Sequence, residues 1–310
     1  MLKRKADDSM HNKHRGEDSE RGSSQQGKRN SSFPFKNNGS KEVDMWAQQL
    51  LPSSLASNLP VNHTVTLAIP GSVLRGAQTR ELRSYLVGQI ARAAAIHEID
   101  EIVVFVDSAY EASAPDLDKT PSVTCCRLLQ YLECPAYLRR ALFPVHADLA
   151  LAGALPPLDM PHHMRREDIS LYREGVVVDN KVSTDGCYVN VGLTSEAFLA
   201  RHLKPGVRVT VELDEPDVGT DTTSSAARGP GNMARKKIPT GEAVAPSKPR
   251  LTHGIYWGYQ TRLARTFGEI FSECPYKGGY DMLIGHSVAG KSVDTLEAPR
   301  EKSCKHILVV

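Results

Sequence analysis

Hydrophobic and polar positions divide the chain into stretches of different texture. Thr64 to Ile69 is a short apolar run closed by Pro70-Gly71, which predicts a buried strand. Ala77 to His97 predicts a helix, with Leu82, Leu86, Ile90 and Ala93 recurring at the spacing of one buried face. Glu101 to Asp107 is nearly continuous in apolar residues, which suits a parallel strand covered on both sides. Strand, helix, strand in that order is a βαβ unit. Ser122 to Leu132 and Pro135 to Leu142 predict two further helices, parted at Cys134-Pro135 because a residue before proline is pushed away from helical geometry.

From Glu174 to Asp214 the texture changes. Gly175 to Asp179, Cys187 to Gly192 and Val207 to Leu213 are Val-rich alternating strands separated by Gly and Asp turns, the pattern of a small antiparallel barrel. Residues 215–250 lose almost all apolar content and carry Pro216, Pro230, Pro239, Pro246 and Pro249, so they read as a flexible loop. The α/β pattern then resumes. Gly254 to Trp257 predicts a strand, Gln260 to Phe271 a helix, Tyr280 to Ile284 a strand, and His306 to Val310 the start of another. The expected architecture is one α/β domain, residues 62–170 and 251–310, interrupted by a barrel over 171–214 and the loop over 215–250.

Composition narrows the function classes. The 310 residues carry a net charge of +2, so affinity for nucleic acid must come from local patches. Residues 1–61 are expected to form a disordered tail, with basic clusters at Lys3-Arg4-Lys5 and Lys28-Arg29 and a short amphipathic stretch around Trp46, Leu50 and Leu51. Those clusters suit nuclear import, loose RNA contact or solubility alone. The first residues lack the apolar core of a secretory signal, and no run nears the roughly 18 apolar residues of a membrane span. Six cysteines without a C-x-x-C pair predict reduced thiols. Cys304 with His306, or His162 with His163, lack two further ligands at useful spacing, so no metal site is expected.

Gly285, Gly290, Lys291 and Ser292 stand at the spacing of a phosphate-cradling P-loop, directly after a predicted strand. That mechanism needs a helix whose N-terminus faces the phosphates, and Pro299 stops the run from Val293 to Ala298 too soon. A loop after a strand still asks for a ligand.

Several separate blocks carry a resemblance. Ile69-Pro-Gly-Ser72, Glu81-Leu-Arg83, Gly88-Gln-Ile-Ala-Arg92 and Glu101-Ile-Val-Val-Phe105 lie in the first half. Leu129-Gln-Tyr-Leu-Glu-Cys-Pro135, Pro161-His-His-Met164, Tyr256-Trp-Gly-Tyr259 and Gly279-Tyr-Asp281 follow in the same order. Together they resemble the SPOUT-domain RNA methyltransferase family, in its eukaryotic and archaeal branch with an inserted barrel of OB type. The resemblance implies an α/β knot that binds S-adenosylmethionine, a homodimer, and methylation of ribosomal RNA at N3 of uridine. It also implies a nuclear or cytoplasmic protein, nucleolar or spindle-associated in some members. A non-catalytic RNA-binding or spindle and kinetochore adaptor is the alternative.

On the residues that match, the resemblance assigns one wall of the methyl-donor pocket to Ile284, Gly285, His286, Ser287 and Gly290, with His286 where the family has Thr. Arg262 matches an arginine at the start of a family helix and is expected to bind the donor carboxylate or an RNA phosphate. Arg75, Arg80 and Arg83 near the Pro70-Gly71 turn are expected on RNA phosphates, and Tyr188 with Arg208 on the barrel as an RNA platform. No general base stands out beyond His286. The family pattern continues past His306 to Val310 with a Gly-Gly turn and a segment that threads the knot. Its lack here gives the expectation of a C-terminally truncated form, with an apolar last strand short of partners and weak or no donor binding.

Overall fold

The computed structural model describes residues 63–182, 184–215, 238–292, 295 and 304–310. The tail over 1–61, its amphipathic stretch and residues 216–237 of the expected loop lie outside them. In chain order, β1 (Thr64–Pro70) runs through a 3-10 turn (Gly71–Gly76) into α1 (Arg80–Ile96). Next come β2 (Glu101–Phe105), the single turn α2 (Ala109–Ala112), α3 (Pro121–Glu133) and α4 (Ala136–Leu142). Thr79 starts α1 by accepting a hydrogen bond from the Leu82 amide, and Pro121 sits in the first turn of α3, where its missing N–H costs nothing.

Five strands then form a closed barrel: β3 (Tyr172–Val182), β4 (Cys187–Asn190), β5 (Ala197–Leu199), β6 (Arg208–Leu213) and β7 (Thr240–Val244). The order around it is β3-β4-β5-β7-β6, with only β5 and β7 parallel. Val189, Val191, Ala197, Leu199, Val211 and Leu213 fill its core. The chain returns through α5 (Lys248–His253), β8 (Gln260–Ala264), α6 (Glu269–Ser272), β9 (Met282–Ile284) and β10 (His306–Val309).

The open sheet is parallel throughout, in the order β8-β2-β1-β10-β9. Ala68, Val103, Phe105, Ala264 and Leu308 pack one face against Ile270 of α6. On the helical side α3 lies against β2 and β8, and α1 packs on α3.

Five readings of the sequence are corrected. Gln260–Ala264 is a strand rather than the start of a helix, because β2 offers a parallel edge that pairs with it from Glu101↔Gln260 to Phe105↔Ala264. Residues 254–257 form no strand, since α5 precedes them and ends at Gly254, whose φ of 66° closes the helix. Within the expected loop, β7 completes the barrel and α5 begins at Lys248. The buried face of α1 is Ser84, Val87, Ala91 and Ala94, while Leu82 and Ala93 are exposed. Small side chains let the helix approach its neighbours closely, and Gly88 of α1 meets Leu155 there. Nor is the last strand short of partners: β10 is paired by β1 on one side and β9 on the other, with Leu308 fully buried.

A buried charge cluster joins the barrel to α3. Arg208 on β6 donates to Glu133 at the end of α3 (Nη1 2.6 Å, Nη2 2.9 Å) and to Glu174 on β3 (Nε 2.6 Å). Trp257 Nε1 and Thr210 Oγ1 also donate to Glu174, and His162 Nε2 lies 2.9 Å from Glu133 Oε1. Burial alone would raise both carboxyls. Arg208, with His162 and Thr210, reverses that and lowers both. Next to them, burial holds the His163 imidazole down at about 4, with Nε2 2.6 Å from the Glu133 carbonyl. All six cysteines are free thiols.

Removing the arginine would strand two buried carboxylates, so Arg208→Ala is expected to cost about 3–5 kcal/mol in urea denaturation near neutral pH. An unchanged midpoint would take the cluster out of the fold's support. The pH dependence has a fixed sign. His163 is lowered from 6.5 to about 4, so the unfolded chain binds the proton that the folded chain refuses. Stability is then full above the ordinary histidine range and falls on acidification toward pH 4, by roughly 3 kcal/mol. Thermal melts of His163→Gln should show a flatter acid limb, and an identical limb would contradict the assignment.

Candidate active site

Open parallel sheets take ligands outside the carboxyl ends of their strands, where the strand order reverses. Here β2 lies to one side of β1 and β10 to the other, so the reversal falls between β1 and β10. Two loops border that edge: the turn after β1 and the loop after β9.

The first begins at Pro70-Gly71. A Cβ on Gly71 would stand 1.7 Å from Ser122 Oγ, so glycine lets the turn touch the start of α3. Ser72 donates from its amide (3.2 Å) and its hydroxyl to Asp107, just past β2. Arg75 Nη2 donates to Ser108 Oγ at 2.7 Å, and Arg83 Nε to the Ala77 carbonyl at 3.0 Å. Arg75 thus lies in the turn after β1, while Arg80 and Arg83 stand on the first turn of α1. Asp107, Ser72 and Ser108 escaped the sequence reading. The signal available was the switch from a fully buried strand to polar residues at Asp107-Ser108.

The second loop follows edge strand β9. His286 N donates to the Val310 carbonyl and Val310 N to the Ile284 carbonyl, which extends the pairing beyond both strands. Ala289 N and Gly290 N turn back to Ser287, on its hydroxyl and its carbonyl. Those two amides are spent within the turn and do not form the open nest a P-loop presents to phosphate. A Cβ on Gly290 would be 2.9 Å from the Ser287 carbonyl oxygen, so the turn itself needs that glycine. At Gly285 an added Cβ meets nothing of the chain within 4 Å. Residues 285–290 are all exposed, as are Leu283 and Ile284. At Gly285 the loop thus offers backbone free of a side chain beside the exposed Leu283 and Ile284.

Arg262 does not join them. It lies within β8, where Nε donates to Glu101 (2.8 Å), Nη1 to the Glu269 carbonyl (3.2 Å) and Nη2 to the Ile270 carbonyl (3.2 Å) and Tyr280 Oη (3.3 Å). Its guanidinium ties α6 to the sheet and neutralises a carboxylate that is buried. Arg208 is likewise held inward by its two glutamates. Tyr188, on β4, packs edge to face with Phe198 at 5.4 Å and lines a barrel groove of about 420 Å³ with Asn190, Leu193 and Ile238. Among the described residues no cluster of His, Cys, Asp and Glu could hold a metal, and no helix is long and apolar enough to cross a membrane.

Residues 64–310 match the profile of the family described as "Putative RNA methyltransferase". A Drosophila melanogaster protein named 28S rRNA (uridine-N(3))-methyltransferase is 40% identical over 285 residues, covering 87% of this chain and 55% of the relative. Proteins of the same name from Homo sapiens and Mus musculus are 42% and 41% identical, covering 80% and 82% of the chain and 63% of each relative. The chain therefore spans between 55% and 63% of the length of these relatives.

Arg262→Ala should destabilise by about 3–5 kcal/mol, since Glu101 would stay buried without its partner. Arg262→Lys should recover only part of this, because an ammonium cannot supply the fork to two carbonyls and a carboxylate. Thermal denaturation decides it. A melting temperature unchanged in both variants would move Arg262 from a structural to a ligand-facing role.

Proposed function

The chain belongs to this RNA methyltransferase family, and on that premise we propose that it serves an S-adenosylmethionine-dependent enzyme that methylates N3 of a uridine in large-subunit ribosomal RNA. The observation that carries the proposal is the open approach at Gly285, on the same carboxyl edge of the sheet as the arginine-bearing turn after β1. Ile284, Gly285, His286, Ser287 and Gly290 are its donor wall. Arg75, Arg80 and Arg83 are its RNA-facing cations.

The donor, when bound, supplies an electrophilic methyl group on a sulfonium. What remains for the protein is chiefly placement, since bringing two reactants into line accounts for a large part of such a rate enhancement. The glycine at 285 leaves space for a ring, and the exposed Leu283 and Ile284 beside it favour an apolar one. Because the described wall is exposed, a donor resting on it is held from one side and binds weakly. The uridine must be unpaired to present N3, and the arginines at the turn would hold its flanking phosphates. Tyr188 in the barrel groove provides a face on which a neighbouring base stacks.

Two finer points of fold belong to the same proposal. The α/β knot is supported by β10, a late strand inserted in the middle of the sheet, and the OB type by the five-stranded order with its one parallel pair. A homodimer is supported by the exposed stripe of Leu82, Tyr85 and Ile96 on α1. The names of the relatives favour catalysis over the adaptor reading.

Removing the gene should abolish a reverse-transcription stop at one uridine of large-subunit ribosomal RNA. Re-expression of the natural gene product should restore it, and the Gly285→Val form should not, although that side chain meets nothing of the chain and leaves folding intact. An unchanged stop profile after gene removal would contradict the function. Full rescue by Gly285→Val would contradict the site.

A further inference from the structure

A second concavity, about 550 Å³, lies between the first turns of α1, the N-terminal half of α3 and the segment around His146. It falls within the roughly 300–1,000 Å³ of small-ligand clefts. Most of the charge on its walls is spent. Lys119 Nζ pairs with Asp116 at 2.9 Å. The buried Arg127 pairs with Asp148, which also accepts from Thr124 Oγ1 at 3.2 Å. Three groups on its walls keep solvent-facing polar atoms, Asp118 among them despite a long ion pair. Arg80 is exposed, and Arg83 is anchored through Nε alone, which leaves its terminal nitrogens without a partner among the described residues. Asp118 has 64% of its side chain exposed and lies 3.9 Å from Arg127 Nη2.

Two guanidinium groups and one carboxylate on the walls of one cavity offer cationic donors for an anion and, beside them, an acceptor for a neutral hydroxyl. They suit a ligand that carries an anionic phosphodiester and, within one monomer's length, a neutral hydroxyl donor. A ribonucleotide has both, and a deoxyribonucleotide lacks the second. We propose that this cavity holds one ribonucleotide of the RNA substrate, its phosphate on Arg80 and Arg83 and its 2′-hydroxyl donating to Asp118. The proposal rests on the reading of RNA as substrate and adds to it the site that tells RNA from DNA.

Fluorescence anisotropy with labelled RNA and DNA single strands of one sequence, about a dozen nucleotides long, tests it across a salt series. Wild type should prefer RNA. Arg80→Gln should weaken both strands and lower the salt slope by about one. Asp118→Ala should cut the RNA-to-DNA preference about three- to tenfold, the net worth of one ordinary hydrogen bond at an exposed site, without weakening DNA. Circular dichroism melts of these exposed variants should match wild type, so any loss of binding is read on folded protein. Equal affinity for the two strands in wild type, or a preference that Asp118→Ala leaves unmoved, would overturn the assignment. If the preference behaves as stated but gene removal leaves the ribosomal stop unchanged, the methyltransferase reading falls and the cavity stands. If the stop is lost and the preference is unmoved, only the cavity falls.

Discussion

The position of β10 between β1 and β9 is the constraint on which the rest of the structure depends. A parallel strand cannot be reached by a hairpin, so pairing Thr64 with His306 closes a loop that contains nearly the whole described chain. The entropic cost of so long a loop grows only slowly with its length. Ladders on both edges and the complete burial of Leu308 offset it. Once β10 is in place, the sheet extends from β1 in two directions and the carboxyl edge acquires its reversal point. The turn at Gly71 and the loop at Gly285 then lie on the same carboxyl edge of the sheet although they are far apart in sequence.

The barrel is fixed to this body by charge rather than by apolar area alone. One arginine between two buried glutamates is costly to desolvate, and such a cluster is weak evidence for net stability. What it does supply is direction. Arg208 must face Glu133 and Glu174 together, and Trp257 must reach Glu174, so β3, β6, the end of α3 and the segment after α5 meet in one arrangement. The groove around Tyr188 is thereby carried on a barrel whose seating is set by hydrogen-bond geometry. With a net charge of only +2, any grip on nucleic acid depends on locally placed groups rather than on the field of the whole chain.

The sequence exposed the elements whose signal is local. Thr64 to Ile69 and Glu101 to Phe105 are apolar runs of strand length, and Cys134-Pro135 marks the break between α3 and α4. Where neighbours decide, the pattern misled. Gln260 to Ala264 has no strong local preference and became a strand because β2 had an edge to fill. On α1 the larger apolar residues drew attention to the wrong face, whereas close packing selected Ser84, Ala91 and Ala94. The loop after β9 was legible as a glycine-bearing turn after a strand. The roles of Arg262 and Arg208 were not, because their carboxylate partners stand 161 and 75 residues away and spacing carries no trace of them.

The proposed seat of the methyl donor is residues 285–290 on the carboxyl edge. Hydrogen exchange of the chain with and without saturating S-adenosylmethionine tests this most directly, since it reads backbone protection segment by segment. Slower exchange over 285–290 and 71–76, with the barrel strands β4 and β5 unchanged, is the predicted result. Protection confined to the barrel groove, or no protection at the carboxyl edge at saturating donor, would contradict it.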